Sequence, residues 1–166
     1  MMKAERITHV FDPVFDFESR ILILGTMPSP KSRELGFYYS HPRNRFWPVL
    51  AKIFGENVPE TPEERKNFAL RNKIALWDVL KECDIEGASD SSIKNAVPND
   101  LSVILNSADI KAVFATGATA AKLYKKFIEP ETKIPATALP STSPANAKIK
   151  FEELCEEYKI VLEYLK

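Results

Sequence analysis

Ile21-Leu22-Ile23-Leu24 is an unbroken apolar run that stops at Gly25, and no other stretch narrows the possible folds as far. Four apolar residues without alternation need cover on both faces, and strands covered on both faces belong to parallel sheets flanked by helices. Lys73-Ile74-Ala75-Leu76-Trp77 repeats the signal, Ile110 to Thr116 repeats it before Gly117, and Lys133 to Leu139 gives a weaker fourth run. Helical spacing falls between them. Thr61-Pro62-Glu63-Glu64 has capping-box spacing with proline at the first helical position and opens a helix towards Arg71. Leu101 to Ser107 and Ala118 to Phe127 read as further helices, and Phe46 and Trp47 open an apolar helical pattern with Val49, Leu50, Ile53 and Phe54 that places both in the core. Phe151, Leu154, Tyr158, Val161, Leu162 and Leu165 form one face of a terminal helix with glutamates opposite. Strand alternating with helix predicts a parallel sheet covered on both sides.

A chain of 166 residues buries one core and is too short for two sizeable ones, so a single domain over residues 1–166 is expected. No stretch has the apolar length of a membrane span, and Met1-Met2-Lys3-Ala4-Glu5-Arg6 lacks the apolar core of a signal peptide; a cytoplasmic protein with no membrane partner is expected. Cys83, Cys155, His9 and His41 are too few for a disulfide framework, a four-cysteine cluster or most zinc sites, so neither a metal nor another cofactor is expected. Basic and acidic residues number 23 each, so no overall positive field attracts nucleic acid. The distribution is uneven. Lys31, Arg33, Arg43, Arg45 and Lys52 stand against Glu34 alone between residues 31 and 52, whereas Phe151 to Lys166 carries five glutamates and two lysines.

Two segments interrupt the strand and helix rhythm, Gly25 to Trp47 and Pro135 to Asn146. With Pro48 included they hold seven of the twelve prolines, which fix a loop's shape without needing backbone donors. Open parallel sheets bind ligands beyond the carboxyl ends of their strands, where both loops emerge. In the first loop aromatics alternate with basic and hydroxyl residues, offering stacking surfaces beside phosphate ligands as a flipped or single-stranded base requires. Tyr38 and Tyr39, following Gly36, are expected to form that surface. Trp77-Asp78 closes the second strand, with Asp78 either a helix cap or a pocket residue, and Asp90 reads as a turn former in the Ser89-Asp90-Ser91-Ser92 loop.

The string Gly-x-x-Pro-Ser-x-x-Ser-x-x-x-Gly-x-x-Tyr-x-His-Pro-x-Asn-Arg-Phe-Trp from Gly25, together with Leu139-Pro140-Ser141-Thr142-Ser143-Pro144-Ala145-Asn146, resembles the uracil-DNA glycosylase superfamily. It is most similar to the hypoxanthine (deoxyinosine) branch, with mismatch-specific uracil-DNA glycosylases more distant. The resemblance implies an α/β fold of three layers, α/β/α, around a central, mainly parallel four-stranded sheet. It implies a DNA partner carrying a deaminated base, and a monomer suits base flipping.

Relatives carry aspartate or asparagine in the first motif near the position of Met27, whose thioether orients water poorly. The resemblance passes that role to Asn44 of the His-Pro-x-Asn element, which would position and polarise the attacking water. Local sequence reads Asn44 equally as the cap of a helix beginning at Arg45. N-glycoside cleavage passes through an oxocarbenium-like state, so the water need not be strongly deprotonated and an amide suffices. Charge on the departing base needs donors, for which the Thr26 and Met27 backbone amides and His41 are candidates; His41 also reads as shaping the Pro42 turn. Tyr39 matches the aromatic that stacks on the extruded base, and Ser32 matches a serine near the active site that also reads as a backbone cap. Ser29, Lys31 and Arg43 on the first loop are expected to grip DNA. On the second loop Ser141 and Ser143 match donors to the flanking phosphates, and Pro144-Ala145-Asn146 the segment entering the vacated stack. Asn146 also reads as a cap for the terminal helix, and Thr116-Gly117 as a pocket contact or simple turn geometry.

A base-excising glycosylase therefore leads. A zinc deaminase lacks its His-x-Glu and Pro-Cys-x-x-Cys ligands. A non-catalytic DNA- or nucleotide-binding member stays open because of Met27, and a nucleoside hydrolase stays open until strand length is tested.

Overall fold

The computed structural model describes residues 3–9 and 11–166; Met1, Met2 and Val10 lie outside them, and with them part of the N-terminal stretch read above for a leader. Four strands form a parallel sheet: β2 (Ile21–Gly25), β3 (Ile74–Asp78), β6 (Ala112–Thr116) and β7 (Ala136–Leu139), in the order β3-β2-β6-β7. Every residue of β2 is buried, as the unbroken apolar run requires. Its alternating side chains face two different cores. Ile21 and Ile23 pack with Ile74, Leu76 and Phe114 against α2 (Phe46–Phe54), α3 (Pro62–Arg71) and α7 (Phe151–Tyr158). Leu22 and Leu24 pack with Ala75, Val113 and Ala115 against α4 (Ser102–Leu105) and α5 (Ala118–Phe127). Each fully buried Ile or Leu contributes about 1.5–3 kcal/mol, so the sheet sandwiched on both faces is the stability centre. The expected three-layer α/β/α architecture with a four-stranded parallel sheet is present.

The chain also forms a second sheet that the sequence reading did not anticipate. β1 (Glu5–Thr8), β4 (Leu80–Glu86) and β5 (Ser89–Pro98) pair antiparallel in the order β1-β4-β5. Asp90 therefore lies within a strand, next to the turn at Gly87 (φ 59°), and is not a loop turn former. Leu80, Cys83 and Ile85 anchor this sheet to the core on the α5 side.

Helix ends follow local chemistry. Thr61 Oγ1 accepts from the Glu64 N–H at 3.1 Å, while Glu64 Oε2 accepts from Glu60 N–H, one residue before the cap, at 3.0 Å. Ser29 caps α1 (Pro30–Leu35) by accepting from Ser32 N–H, and Gly36 closes that helix in the left-handed conformation, φ 80°. Ile128 separates α5 from the short α6 (Glu129–Thr132). The expected terminal helix is α only to Tyr158; Lys159–Tyr164 tightens into 3-10 turns. Asn146 does not cap it. Its amide donates to Ser141 O at 2.9 Å, and the helix starts after Lys150 with no side-chain cap. Among the described residues no helix is long and apolar enough to cross a membrane.

Candidate active site

The carboxyl ends of β2, β3 and β6 open into a cleft of about 600 Å³, walled by the Gly25–Asn44 loop and rimmed by Ser141–Ala145 and the β4–β5 turn. The strand ends bring Gly25, Asp78 and Thr116 side by side, because Gly25 pairs with Asp78 and Leu24 with Ala115 in the sheet register. A Cβ on Gly25 would lie 2.6 Å from Asp78 Oδ1, 3.1 Å from the Tyr39 hydroxyl and 3.6 Å from Thr116 Oγ1. Glycine is required there because three polar side chains converge on its α-carbon.

Tyr39 adopts φ 52°, a left-handed conformation unusual for a side chain of this size. That turn separates it from its neighbour. Tyr39 faces the cleft with its ring stacked on Phe46, centroids 3.7 Å apart, and its hydroxyl 3.2 Å from Thr116 Oγ1. Tyr38 also borders the cleft but is only 2% exposed, its hydroxyl donating to Asp12 O at 3.0 Å; it belongs to the core more than to the binding surface expected of it. Burial, reinforced by the charge of Asp78, holds the Tyr39 phenol well above the ordinary tyrosine pKa, so the hydroxyl keeps its proton.

Asn44 lines the cleft with its amide oriented: Oδ1 accepts from Phe46 N–H at 2.9 Å, and its backbone N–H donates to His41 O. The capping expectation holds in altered form, since α2 starts at Phe46 with Arg45 as its N-cap residue and Asn44 bonding from one position earlier. One lone pair of Oδ1 and both protons of Nδ2 stay available to a water. His41 accepts from Arg43 N–H at Nδ1, 3.0 Å, which shapes the Pro42 turn and leaves Nε2–H as the donor beside the cleft. Thr26 and Met27 line the cleft directly after β2. Ser32 is buried, receiving Ser40 N–H and Ser29 O–H on its hydroxyl oxygen, and so braces the loop.

The rim hydroxyls are oriented by the rim's own backbone. Ser141 Oγ accepts from Ser143 N–H and Ser143 Oγ from Ala145 N–H, at 3.1 and 3.2 Å, leaving each hydroxyl proton free to point outward. Pro144 and Ala145 complete the edge, while Arg43 and Asn146 lie outside the lining. Lys31 borders the cleft and makes an exposed pair with Glu34, which holds it weakly. The two loops are tied by Arg45, whose backbone N–H donates to Thr142 O and whose guanidinium donates to Asn146 O and Ile149 O. A Cβ on Gly117 would lie 3.4 Å from the Ser141 side chain, so the rim closes directly on the end of β6. Among the described residues no three His, Cys, Asp or Glu side chains lie close enough to share a metal ion.

His9 was missed. It precedes every motif in the chain, yet its Nε2 lies 2.7 Å from Asp78 Oδ2 at the end of β3, and the two side chains are 2% and 4% exposed. Asp78 is therefore a cleft residue with a buried partner, the pocket alternative read for it and not the helix cap. The only local signal was an aspartate at a strand end.

A three-layer sheet whose first strand opens into a Pro-Ser loop, with the His-Pro-x-Asn element completing the same cleft, matches one family. The uracil DNA glycosylase superfamily model covers residues 13–166, and the chain belongs to that superfamily. Among curated relatives, hypoxanthine DNA glycosylase from Methanosarcina barkeri (strain Fusaro / DSM 804) is 38% identical over 143 residues, spanning 83% of this chain and 87% of that protein. Hypoxanthine DNA glycosylase from Methanosarcina acetivorans is 34% identical over 142 residues with the same coverage. The solution NMR structure of a M. acetivorans protein assigned provisionally as a uracil DNA glycosylase superposes with a TM-score of 0.77 at 29% identity, over 93% of this chain and 98% of that one.

Proposed function

We propose that the protein is a monofunctional DNA glycosylase that flips a deaminated base, hypoxanthine or uracil, into the cleft and hydrolyses its N-glycosidic bond, leaving an abasic site for base excision repair. It acts as one monomeric domain over residues 1–166, without metal or other cofactor. The observation that carries this reading is Asn44: an amide lining the cleft, oriented by Phe46 N–H, with an acceptor lone pair to spare.

Asn44 Oδ1 accepts a hydrogen bond from the attacking water and turns an oxygen lone pair towards the anomeric carbon; as the new C–O bond forms, the water's proton passes to the departing base anion or to solvent. The oxocarbenium-like sugar develops positive charge before the water bonds, so orientation supplies most of what the nucleophile needs. Tyr39, backed by Phe46, stacks on the extruded base. The backbone amides of Thr26 and Met27 and His41 Nε2–H donate to the base as it leaves with negative charge. Met27 offers no side-chain donor, which concentrates the water-positioning role on Asn44. Ser32 braces this wall through Ser40. Lys31, Arg43, Ser141 and Ser143 hold the flanking phosphates, Ser29, its hydroxyl donating to Ser32, keeps the loop that carries Lys31 in shape beside them, and Pro144-Ala145-Asn146 approaches the gap left in the stack.

The test is a duplex panel with deoxyinosine, uracil or a G·T mismatch at one position, treated with hot alkali after incubation. Cleavage at deoxyinosine or uracil and none at the normal duplex is expected. Tight duplex binding with no cleavage at any base would replace the enzyme with the non-catalytic reading that Met27 favours.

A further inference from the structure

Two residues outside the cleft, Trp47 and Arg65, fix the peptide on either side of Tyr39. Tyr39 holds φ 52°, and a residue with a large ring keeps that conformation only where its neighbours leave it no alternative. On the N-terminal side Tyr38 O accepts from Trp47 Nε1–H at 3.1 Å, an indole 1% exposed at the start of α2. On the C-terminal side Ser40 is buried and its backbone N–H donates to Ser32 Oγ at 3.0 Å. The Ser40 hydroxyl donates to Phe37 O at 2.8 Å, and its oxygen accepts from Arg65 Nη1 at 3.3 Å. Arg65 stands half-buried in the first turn of α3, where the helix dipole disfavours a cation and favours residues such as its neighbours Glu63 and Glu64. Among the described residues it makes no ion pair, so neither the dipole nor a salt bridge accounts for its place. Nε donates to Pro59 O at 3.3 Å, and the guanidinium carbon lies 5.8 Å from the Trp47 ring centroid. Arg65 thus touches Ser40 directly and also the indole that holds Tyr38.

We propose that Arg65 is a positioning residue for the base-stacking ring: by holding Ser40 and lying against Trp47 it keeps Tyr39 in the left-handed conformation that turns its ring onto Phe46 and into the cleft. The proposal rests on the stacking role given to Tyr39 in the glycosylase reading and adds to it a side chain from a helix outside both loops. Without Arg65 the Ser40 side of the turn relaxes, Tyr39 returns to an ordinary backbone region, and its ring leaves Phe46. Arg65 is not a phosphate ligand in this account, since no residue of α3 lines the cleft.

The position of the Tyr39 ring is read directly by NMR, because stacking on Phe46 at a centroid distance of 3.7 Å moves its ring protons upfield. Arg65→Ala is compared with wild type, with Ser40→Ala as a second way to break the same contact and thermal unfolding to confirm folding; should Arg65→Ala not fold, Ser40→Ala carries the test. Tyr124, which packs on the α5 side of the sheet, is the internal standard. Free hypoxanthine is titrated into wild type, Arg65→Ala, Tyr39→Ala and the double variant, and kcat and KM are measured on a deoxyinosine duplex at several salt concentrations.

In folded Arg65→Ala and Ser40→Ala the Tyr39 ring protons are expected to shift towards the positions of an unstacked tyrosine while those of Tyr124 stay in place. Free hypoxanthine is expected to bind Arg65→Ala about fivefold or more weakly, as the stacking contribution is lost. In the Tyr39→Ala background the same substitution is expected to cause no further loss, because a residue that acts through the ring then has nothing to position. On the deoxyinosine duplex the loss is expected in kcat, about tenfold, with KM and its salt dependence unchanged. Tyr39 ring protons left in the wild-type position in the folded variants overturn the proposal, as does a loss of free-base binding equally large with and without Tyr39. A raised KM with a shallower salt dependence makes Arg65 a phosphate contact and overturns it too. Should no duplex be cut, the glycosylase reading fails alone, and the ring positions still decide this one.

Discussion

Two proline-fixed loops meet at one sheet edge and are built for opposite duties. The Gly25–Asn44 wall turns its polar groups towards side chains and backbone held by the core: Ser32 bonds Ser40, Tyr39 bonds Thr116 and stacks on Phe46, and Asn44 bonds the first turn of α2. The Ser141–Asn146 rim bonds mainly to itself, through Ser141, Ser143 and Asn146, and the hydroxyl protons of its two serines have no partner among the described residues. A wall of the first kind fixes groups within the tolerance that bond cleavage needs, whereas a rim of the second kind can adapt to a sugar-phosphate chain. Arg45, the residue next to Asn44, joins them.

The contrast predicts unequal consequences of mutation. Asn44→Ala is expected to lower the rate of base release by about 100-fold or more, a loss typical of removing an oriented transition-state group, while duplex binding changes little. Loss of its bond to Phe46 N–H costs about 1 kcal/mol of stability, measurable by denaturant titration. Gly25→Ala places a methyl group 2.6 Å from Asp78 Oδ1, and we expect base release to fall at least as far as folding stability suffers, checked by running both assays on one preparation. Tyr39→Ala is expected to weaken free-base binding by roughly 1–3 kcal/mol through lost stacking, with relief of the φ 52° backbone offsetting part of the folding cost.

Rim changes should be smaller. Ser143→Ala removes the proposed phosphate donor and the cap on Ala145 N–H, so the expected result is a duplex affinity reduced less than about tenfold, with base-release rate at saturation unchanged. Outside both loops, Arg71 and Asn72 flank Glu56: burial alone would raise its pKa, and their hydrogen bonds override this and hold it below the ordinary value. A lowered folded pKa stabilises above the unfolded value of 4.5 and is lost as pH falls through the folded one. Acid unfolding of Glu56→Gln should therefore differ from wild type above that range by about 1 kcal/mol or less and converge below it.

The parallel sheet was legible because strands buried on both faces leave unbroken apolar runs, as at Ile21–Leu24. The antiparallel sheet was not. Leu80–Pro98 fully buries only Leu80, Cys83 and Ile85 and leaves Val97 exposed, its register shifts between β4 and β5, and Ser89 to Ser92 reads as loop by composition. At the site, Asn44, His41 and the serines carried local signatures in their turns. Tyr38 and Tyr39 are chemically identical neighbours, and nothing in the local sequence marks Tyr38 as the buried one or Tyr39 as the one with φ 52°. His9 and Asp78 lie 69 residues apart in sequence and meet through the pairing of strands that no local pattern announced.

The central claim is that Asn44 positions water for base release in a cleft that otherwise binds. Single-turnover release of free hypoxanthine from a deoxyinosine duplex, measured for wild type and Asn44→Ala at saturating protein, tests it directly. A fast burst of base is expected for wild type, and a rate lower by about 100-fold for the variant with equal duplex affinity. Equal release rates from wild type and variant would contradict it and move the water-positioning role to another residue.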